Sequence, residues 1–485
     1  MRIEPSTMER TEAEAIYDQG REAVVAALLA LSAQIAALEA RLAKQEERIA
    51  ELERQLNRNS RNSSLPPSAD PPGAPARERV PSSGRKRGAQ RGHKGHGRRL
   101  APIEAVAEII DHWPEHCRCG HRFTAEERCP AGAPARHQLA ELPSIAVVLT
   151  EHRLHRLRCP DCGALTRAKL PAEVPASAFG PRLQAAVATL AVRNRVSRRD
   201  TVELASELFG ARLSAGSIDA ILGRTAAALA GPYGELLHQT RASPAVNIDE
   251  TGWRTGGAKR TLWGALTRGT AVFRIAPDRH QREAQALLGE RFAGIACSDR
   301  WWAYNYLAPE RRQLCWAHLA RDFTAHAEGL GAQKQFGKAG LQLTKRLFAA
   351  WDDYRQDGDR ARLAERIAPL KEELHRQLMQ AARKTPRNRR HRGLAKNLLK
   401  CWPALWTFAS VPGVEPTNNQ AERGLRGAVI YRKLSLGSQS EGGERTIERL
   451  LSASITCRLQ KRSLFAYLSD VLAARIRGDP IPLLT

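Results

Sequence analysis

Apolar residues recur every three or four positions near the start of the chain. The repeating positions are Leu28, Leu31, Ile35, Leu38, Leu42, Gln45, Ile49, Leu52 and Leu56. Charged residues fill the outer positions, so the pattern predicts a coiled coil over residues 20–57, most simply a homodimer or a higher oligomer. The polar Gln45 at a seam position would cost stability and fix the register. The alternative is one amphipathic helix that folds back on its own chain.

Helical spacing returns over residues 176–240. One predicted helix opens at Pro181, a second spans 201–209 before a glycine, and a third begins after Ser214 or Ser217. A helix, a glycine-containing turn and a helix are typical of a helix-turn-helix domain that binds DNA. A plain three-helix packing unit fits the pattern equally well.

The pattern changes to short apolar runs after residue 240. These runs predict a strand ending near Asp249, a hairpin of strands 261–267 and 271–275, a helix from Gln281 to Leu288, and strands 294–297 and 312–316. Three antiparallel strands, a helix and two further strands follow the order of a ribonuclease H-like α/β core. In that core the first and fourth strands are neighbours.

Helical spacing then covers about residues 325–410. The apolar positions are Leu341, Leu343, Leu347, Trp351, Leu363, Ile367, Leu370, Leu374 and Leu378. They predict a helical insertion within a core domain that spans residues 241–440 and is followed by a helical tail over 441–485. The predicted fold class is therefore multidomain α+β.

Three carboxylates occupy comparable settings in the core domain. Asp249 and Asp299 each follow a predicted strand, and Glu422 lies one turn inside a helix that Asn418 is expected to cap. Neighbouring first and fourth strands would bring the two Asp together. Carboxylates from such separate segments can hold two magnesium or manganese ions. Taken singly, Asp249 could cap a turn, and Glu422 could be an ordinary i,i+4 partner of Arg426.

The charge of the chain indicates a polyanionic partner. Lys and Arg number 76 against 51 Asp and Glu, which gives a net charge of +25 and a pI near 10.3. Residues 58–100 form a basic linker, predicted to be disordered until it meets DNA. Its proposed DNA contacts are Arg85, Lys86, Arg87, Arg91 and Lys94.

Further basic residues lie in the second half of the chain. Seven cations and no acid occupy positions 383–396, including Arg389 and Arg390, and Arg423 and Arg426 flank Glu422. We expect these arginines to contact DNA phosphates. The alternative is that they are ordinary solvated residues.

A cysteine-rich segment over residues 101–175 predicts a zinc-finger-like domain. Cys159 and Cys162 form a CxxC half-site before a glycine, and Cys117 and Cys119 form a shorter one. Together these four thiols predict a structural zinc site. His116 with Cys119, or Cys129, are alternative ligands, and a degenerate finger that folds without metal is the competing interpretation.

The sequence predicts a cytoplasmic, nucleoid-associated protein. Its first residues lack an apolar signal core, and the run 24–38 is expected to be too short and too polar to span a bilayer. A lipidation motif is absent from the sequence, so membrane binding is not expected. The nine cysteines are then not expected to form disulfides.

Four motifs carry a family resemblance: IDETGW, SDRWWAY, CWAHLARDF and NNQAERGLR. They resemble the Asp-Asp-Glu transposases of the bacterial insertion-sequence sixty-six family, as do the segments NRNSRNSSLPPSAD and RKRGAQRGHKGHGR upstream. Two stretches, RWWAY and YRKLSLGS, depart from the family pattern without touching a carboxylate.

The resemblance implies a transposase that binds the ends of its own element and performs metal-dependent strand cleavage and transfer, with or without accessory proteins of that element. Asp249, Asp299 and Glu422 would be the catalytic triad, with His318 and Arg426 beside it. It also implies a zinc-binding domain. The competing hypothesis is a catalytically inactive DNA-binding regulator derived from a transposase.

Overall fold

The computed structural model of the protein describes residues 10–56, 99–143, 145–175 and 177–484. The chain divides into two compact units. In described residues, the first unit comprises 10–56, 177–195 and 222–484, and the second comprises 99–143, 145–175 and 196–221. Most of the linker predicted over 58–100, including its five proposed DNA contacts, lies outside the described residues.

Two helices open the chain, α1 (Arg10–Asp18) and α2 (Arg21–Leu56). α2 confirms a helix over nearly all of the segment predicted as a coiled coil. The apolar seam side chains from Leu28 to Leu52 are exposed in the single chain. The burial of some residues after position 42 is not described. An uncovered apolar seam is what a coiled coil buries against a second helix.

The first part of α2 corrects one sequence expectation. The stretch Arg21–Leu42 is long and apolar enough, by length and composition, to cross a membrane, because the apolar part of the helix extends beyond residues 24–38 at both ends. The seam of a coiled coil passes the same test, since its leucines are exposed in a single chain. The heptad pattern continues past Leu42 among Lys, Glu and Arg residues, and this favours the coiled coil.

The cysteine-rich segment contains little regular structure. A short turn at Ile103–Ala105 precedes an antiparallel pair, β1 (Arg156–Arg158) and β2 (Leu165–Arg167). The described residues of this segment contribute no buried apolar side chain, and Leu139, Val148 and Leu149 are almost fully exposed.

Four helices occupy residues 181–242: α3 (Pro181–Ala188), α4 (Arg198–Phe209), α5 (Ala215–Ala228) and α6 (Ala230–Ala242). Ser214, the first of the two candidate caps for α5, accepts a hydrogen bond from the Ser217 amide at 3.1 Å. The predicted single helical domain is divided, because α4 and the start of α5 belong to one unit while α3 and α6 belong to the other.

A mixed five-stranded sheet forms the centre of the first unit. Its strands are β3 (Ala245–Thr255), β4 (Ala258–Leu266), β5 (Ala271–Ala276), β6 (Ile295–Ser298) and β7 (Arg312–Leu314), in the spatial order β5-β4-β3-β6-β7. β3, β4 and β5 are antiparallel, whereas β6 and β7 continue parallel to β3. The predicted pairing of the first and fourth strands is confirmed, and α7 (Gln281–Leu288) has the predicted bounds.

Helices follow the last strand directly: α8 (Trp316–Ala327), α9 (Gly331–Asp357), α10 (Arg360–Ala381), α11 (Arg392–Lys400) and α12 (Thr407–Ser410). The leucines predicted for this region at 343, 347, 363, 370, 374 and 378 are buried in one core, with Ile367. Helical structure starts at Trp316 rather than near 325.

The last helices are α13 (Asn419–Ser435), α14 (Glu441–Leu459) and α15 (Leu464–Arg477). Residues 441–485 were predicted to be a tail, but α14 lies along β5. Side chains of α14 accept hydrogen bonds from the β5 backbone, Ser452 from the Phe273 amide at 2.9 Å and Thr456 from the Ala271 amide at 3.0 Å. The outer edge of the sheet is thereby covered, which protects it from pairing with another strand.

Candidate active site

The register of two parallel strands relates Asp249 to Asp299. Asn247 of β3 is aligned with Cys297 of β6, and each Asp lies two residues further along its own chain. Because side chains alternate along a strand, residues two apart share a face. The two carboxylates therefore lie at the same level, Asp249 within β3 and Asp299 directly after the end of β6.

Backbone amides orient both Asp side chains. The Glu250 amide donates to Asp249 Oδ1 at 2.9 Å, and the Trp301 amide donates to Asp299 Oδ1 at 2.8 Å. Each hydrogen bond fixes one oxygen and leaves the other for a ligand.

The start of α13 is tied to both strands. The Asn418 side chain donates to the carbonyl of Ile248, the residue before Asp249, at 2.8 Å. The Asn418 amide donates to Cys315 Sγ at 3.1 Å, and the Cys315 amide donates to the carbonyl of Ser298, the residue before Asp299, at 2.9 Å. Glu422 thus stands one turn from a residue anchored beside both Asp.

The sequence predicted that the Asn418 side chain caps α13, but the structure shows that it does not. The residue occupies the N-cap position without a side-chain cap hydrogen bond, because its buried amide is used by Ile248. Its backbone carbonyl accepts from the Glu422 amide at 3.2 Å.

Negative charge accumulates at Asp249. Burial, and then the charges of Glu250, Asp299 and Glu422, raise the pKa of Asp249 to about 8. A backbone hydrogen bond opposes this shift only partly. A bound cation would relieve the negative charge that raises the pKa of Asp249.

Glu250 was missed in the sequence analysis although it adjoins Asp249. Its side chain is 1% exposed; Tyr304 donates its hydroxyl to one oxygen at 2.5 Å, and Arg279 donates to the other. Burial, and then the charge of Asp299, raise the pKa of Glu250, against those two hydrogen bonds. The Arg279 guanidinium also lies over the Trp301 ring, 4.4 Å from its centre. Its position directly after Asp249, a predicted metal ligand, was the feature of the sequence that could have identified Glu250.

Glu422 has two cationic or polar neighbours on α8. Its Oε1 lies 3.6 Å from His318 Nδ1 and 3.5 Å from Arg321 Nη2. His318 was expected beside the site, whereas Arg321 was not. Burial, and then the charge of Arg321, lower the pKa of His318. These contacts replace the i,i+4 ion pair with Arg426 that was considered for Glu422.

The two cysteine half-sites fold as similar turns. Gly120 donates its amide to the Cys117 carbonyl and Gly163 to the Cys159 carbonyl, both at 2.9 Å, and both glycines have positive φ. Hydrogen bonds from the His121 backbone, and then from the Cys117 thiol, lower the pKa of Cys119. Backbone amides of Cys162 and Asp161 lower the pKa of Cys159.

The structure does not bring the half-sites together. Among the described residues, none of Cys117, Cys119, Cys159 and Cys162 belongs to a group of three His, Cys, Asp or Glu whose ligand atoms lie within 4.8 Å of one another. All four thiols are free. Neither His116 nor Cys129 completes such a group. The zinc site stays a prediction.

The described basic candidates lie at the surface. Arg389, Arg390, Arg423 and Arg426 are all exposed. A further cationic group, absent from the sequence analysis, comprises Arg193, Arg195 and Arg458: burial, and then the charges of Arg193 and Arg195, lower the pKa of Arg458. Arg195 adopts a left-handed backbone with φ of 62°.

The chain is similar to known sequences over most of its length. A family model described as "Transposase IS66 family" matches residues 176–446, more than half of the chain, and one described as "Family of unknown function (DUF6444)" matches residues 4–99. "Uncharacterized protein y4hP" of Sinorhizobium fredii is 26% identical over 420 residues, 78% of this chain and 73% of that protein. "Uncharacterized protein y4jD" of the same organism is 25% identical over 300 residues, 56% of this chain and 58% of that protein.

Proposed function

Because the chain belongs to the IS66 family of transposases, we propose that it is an active transposase that binds the ends of its own insertion sequence, cleaves a DNA strand there and joins it to target DNA. The observation that carries this proposal is the electrostatic coupling of three carboxylates from distant segments. The charges of both Asp299 and Glu422 act on Asp249.

We further propose that the sheet and its helices form a ribonuclease H-like core. The strand order β5-β4-β3-β6-β7 supports this assignment, with three antiparallel strands followed by two parallel ones. α7 supports it too, because it connects β5 to β6. In this arrangement Asp249 and Asp299 come from the neighbouring strands β3 and β6, and Glu422 comes from α13.

The donor set fits two magnesium or manganese ions. Carboxylate oxygens are hard ligands, and the neighbouring charges of Glu250, Asp299 and Glu422 raise the pKa of Asp249. Among the described atoms, Glu422 Oε1 is buried without a hydrogen-bond partner. The ions, when bound, would stabilise the attacking and leaving oxygens of a phosphodiester. Asp249 and Asp299 would hold ions, and Glu422 would complete the second ion's ligands.

Residues around the triad would keep it rigid. The amides of Glu250 and Trp301 hold one oxygen of each Asp. Glu250 itself has both oxygens engaged by Tyr304 and Arg279, so we assign it to support rather than to metal binding. Preorganised ligands of this kind avoid reorganisation during the reaction.

DNA would be bound mainly through its phosphates. Arg423 and Arg426 are exposed on the helix of Glu422, and Arg389 and Arg390 are exposed at the start of α11. The arginine group of Arg193, Arg195 and Arg458 offers three further cations whose mutual repulsion a polyanion would relieve.

The remaining parts of the chain have proposed supporting roles. The exposed seam of α2 would pair with a second copy, and a zinc ion held by Cys117, Cys119, Cys159 and Cys162 would organise the cysteine-rich segment. The helices around α4 and α5 would read the element ends, with or without accessory proteins. A transposase acts on the chromosome, so we place it in the cytoplasm.

A catalytically inactive DNA-binding regulator is the second candidate. It would need the basic surfaces, the zinc segment and the coil, but not the triad. A DNA-binding regulator has no use for an Asp249 whose pKa is raised by burial and by the charges of Glu250, Asp299 and Glu422, because this arrangement costs stability.

Strand cleavage and joining on labelled element ends with magnesium test this proposal. Asp249→Asn, Asp299→Asn and Glu422→Gln should each lower cleavage by about 10³-fold or more, while binding to the ends persists. Glu415→Gln, which changes an exposed carboxylate near Glu422, is the matched control and should cleave normally. Loss of end binding in the three variants, or cleavage near the wild-type rate, would contradict the assignment.

A further inference from the structure

A second set of metal-binding groups adjoins the carboxylates. Cys315 Sγ, a ring nitrogen of His318 and an oxygen of Glu422 all lie within 4.8 Å of one another. Cys315 precedes α8 at its N-cap position, His318 lies in the first turn of α8, and Glu422 lies in the first turn of α13. The group is tied together by the Asn418 amide, which donates to Cys315 Sγ.

Two of these groups lack hydrogen bonds, although Glu422 Oε1 is also ion-paired with Arg321. His318 Nδ1 and Glu422 Oε1 are both buried and lack hydrogen-bond partners among the described atoms. They face each other at 3.6 Å, which is longer than a hydrogen bond. Buried polar atoms without partners are rare because they lose the hydration they have in the unfolded chain. An ion between them would satisfy both.

The ligand types differ from those of a magnesium site. A thiol, an imidazole and a carboxylate together suit zinc, whereas magnesium takes oxygen ligands. Zinc lies about 2.0–2.3 Å from such ligands in a tetrahedral arrangement, so the ligand atoms should lie about 3.3–3.8 Å apart. His318 Nδ1 and Glu422 Oε1 already lie 3.6 Å apart, and the spacing of the whole group, within 4.8 Å, needs a closure of at most about 1 Å.

Arg321 is the group that opposes a cation here. Its guanidinium lies 3.5 Å from Glu422 Oε1, and its side chain is 42% exposed. An exposed arginine can turn into solvent when a cation takes its place beside the carboxylate.

We propose that Cys315, His318 and Glu422 form a zinc site, separate from the predicted structural zinc site, and that zinc bound there withdraws Glu422 from the magnesium-binding carboxylates. Three protein ligands leave a fourth position open, as in zinc sites that exchange ligands. Binding itself stands on the geometry of these three residues. Only the inhibitory consequence rests on the proposed function.

Cobalt absorption tests the binding directly. Co²⁺ replaces Zn²⁺ and gives visible bands and a near-ultraviolet thiolate band in a site of this kind. Full-length wild type, Cys315→Ser and His318→Gln are titrated with Co²⁺, with Cys457→Ser as the control. Cys457 is equally buried but lies in α14, away from the cluster. The cysteine-rich segment contributes equally to all four proteins, so it cancels in the comparison.

We expect wild type and Cys457→Ser to bind one more Co²⁺ per chain than Cys315→Ser and His318→Gln. If Cys315→Ser fails to fold, His318→Gln, at a partly exposed position, decides the result. Equal stoichiometry in wild type and the folded variants overturns the site.

Zinc inhibition of magnesium-dependent cleavage tests the consequence. The zinc concentration for half inhibition should rise more than about tenfold in Cys315→Ser, with each protein scaled to its own zinc-free rate. Equal inhibition of both proteins overturns the regulatory half of the proposal. Absence of magnesium-dependent cleavage in wild type would instead count against the proposed function, and the cobalt result would stand independently.

Discussion

Two candidate metal sites in this chain are built in opposite ways. The carboxylates of the sheet are positioned by strand register and by hydrogen bonds such as that from Asn418 to the Ile248 carbonyl, within a buried core. The cysteine half-sites stand on separate exposed turns, in a segment whose described residues bury no apolar side chain. One site is assembled by the protein, whereas the other would need a metal for its assembly.

This difference follows from what each element can bury. All four residues of β6 are buried, as are Val246, Ile248 and Trp253 of β3, so the pairing of these strands is stable without a ligand and positions the two Asp residues. Residues 99–143 and 145–175 bury no apolar side chain, leave Leu139, Val148 and Leu149 almost fully exposed, and form two short strands. For such segments metal binding supplies much of the folding free energy.

Zinc removal should therefore have the largest effect, and only on the cysteine-rich segment. Chelation, or Cys159→Ser with Cys162→Ser, should abolish hydrogen-exchange protection around β1 and β2, since structural zinc contributes about 10 kcal/mol or more in small metal-dependent domains. Peptides from β3 to β5 should keep their protection. Unchanged protection of β1 and β2 after complete metal removal would favour the degenerate finger.

Asn418→Ala should have the next largest effect, on the protein-built site. It removes the buried tie between α13 and β3, so we expect a loss of about 1–3 kcal/mol in unfolding free energy and about 100-fold in cleavage. Asn419→Ala, at an exposed neighbouring position, is the control for both measurements. Wild-type cleavage by Asn418→Ala would show that this tie does not position Glu422.

Asp249→Asn should stabilise the metal-free protein at high pH. The folded-state pKa of Asp249 is raised to about 8, so its neutral form contributes stability that is full below about pH 4 and is lost as pH rises through 8. Asn stays neutral, and the melting temperature in chelator at pH 9 should rise by about 2–6 °C. The gain should vanish near pH 4.

Asp470→Asn, at an exposed position on α15, controls for the loss of one charge. A variant Asp249→Asn that is no more stable than wild type at pH 9 would mean that the carboxylates do not repel one another as described.

Single arginines of α13 should have the smallest effect. Arg426→Ala should weaken DNA binding several-fold, equally for all DNA sequences. The slope of the logarithm of the binding constant against the logarithm of salt concentration should become smaller by about one. Arg475→Ala, exposed on α15, serves as the reference. An unchanged salt slope for Arg426→Ala would remove this residue from the DNA contacts.

Local patterns predicted the elements of the sheet unit well. The bounds of α7 and the buried leucines of α9 and α10 follow from periodicity and turn signals. The neighbouring positions of β3 and β6 were predicted instead from the order of strands and helix along the chain. Such features depend on nearby residues, and alternation along a strand decides which side chains share a face.

Contacts between distant segments were the features that local patterns did not reveal. Asn418 has the composition of a helix cap, but its partner lies 170 residues away at Ile248. Glu250 is fixed by Tyr304, 54 residues away, and Glu422 faces Arg321 and His318 on another helix. Nothing in the spacing of these residues indicates that the fold brings them together.

The most direct test of the carboxylate site is a crystal structure of the full chain grown with manganese, with anomalous scattering used to locate the ions. We expect two manganese ions about 3.5–4 Å apart, held by Asp249, Asp299 and Glu422. Anomalous density found only elsewhere, with these three side chains free of metal, would contradict this expectation.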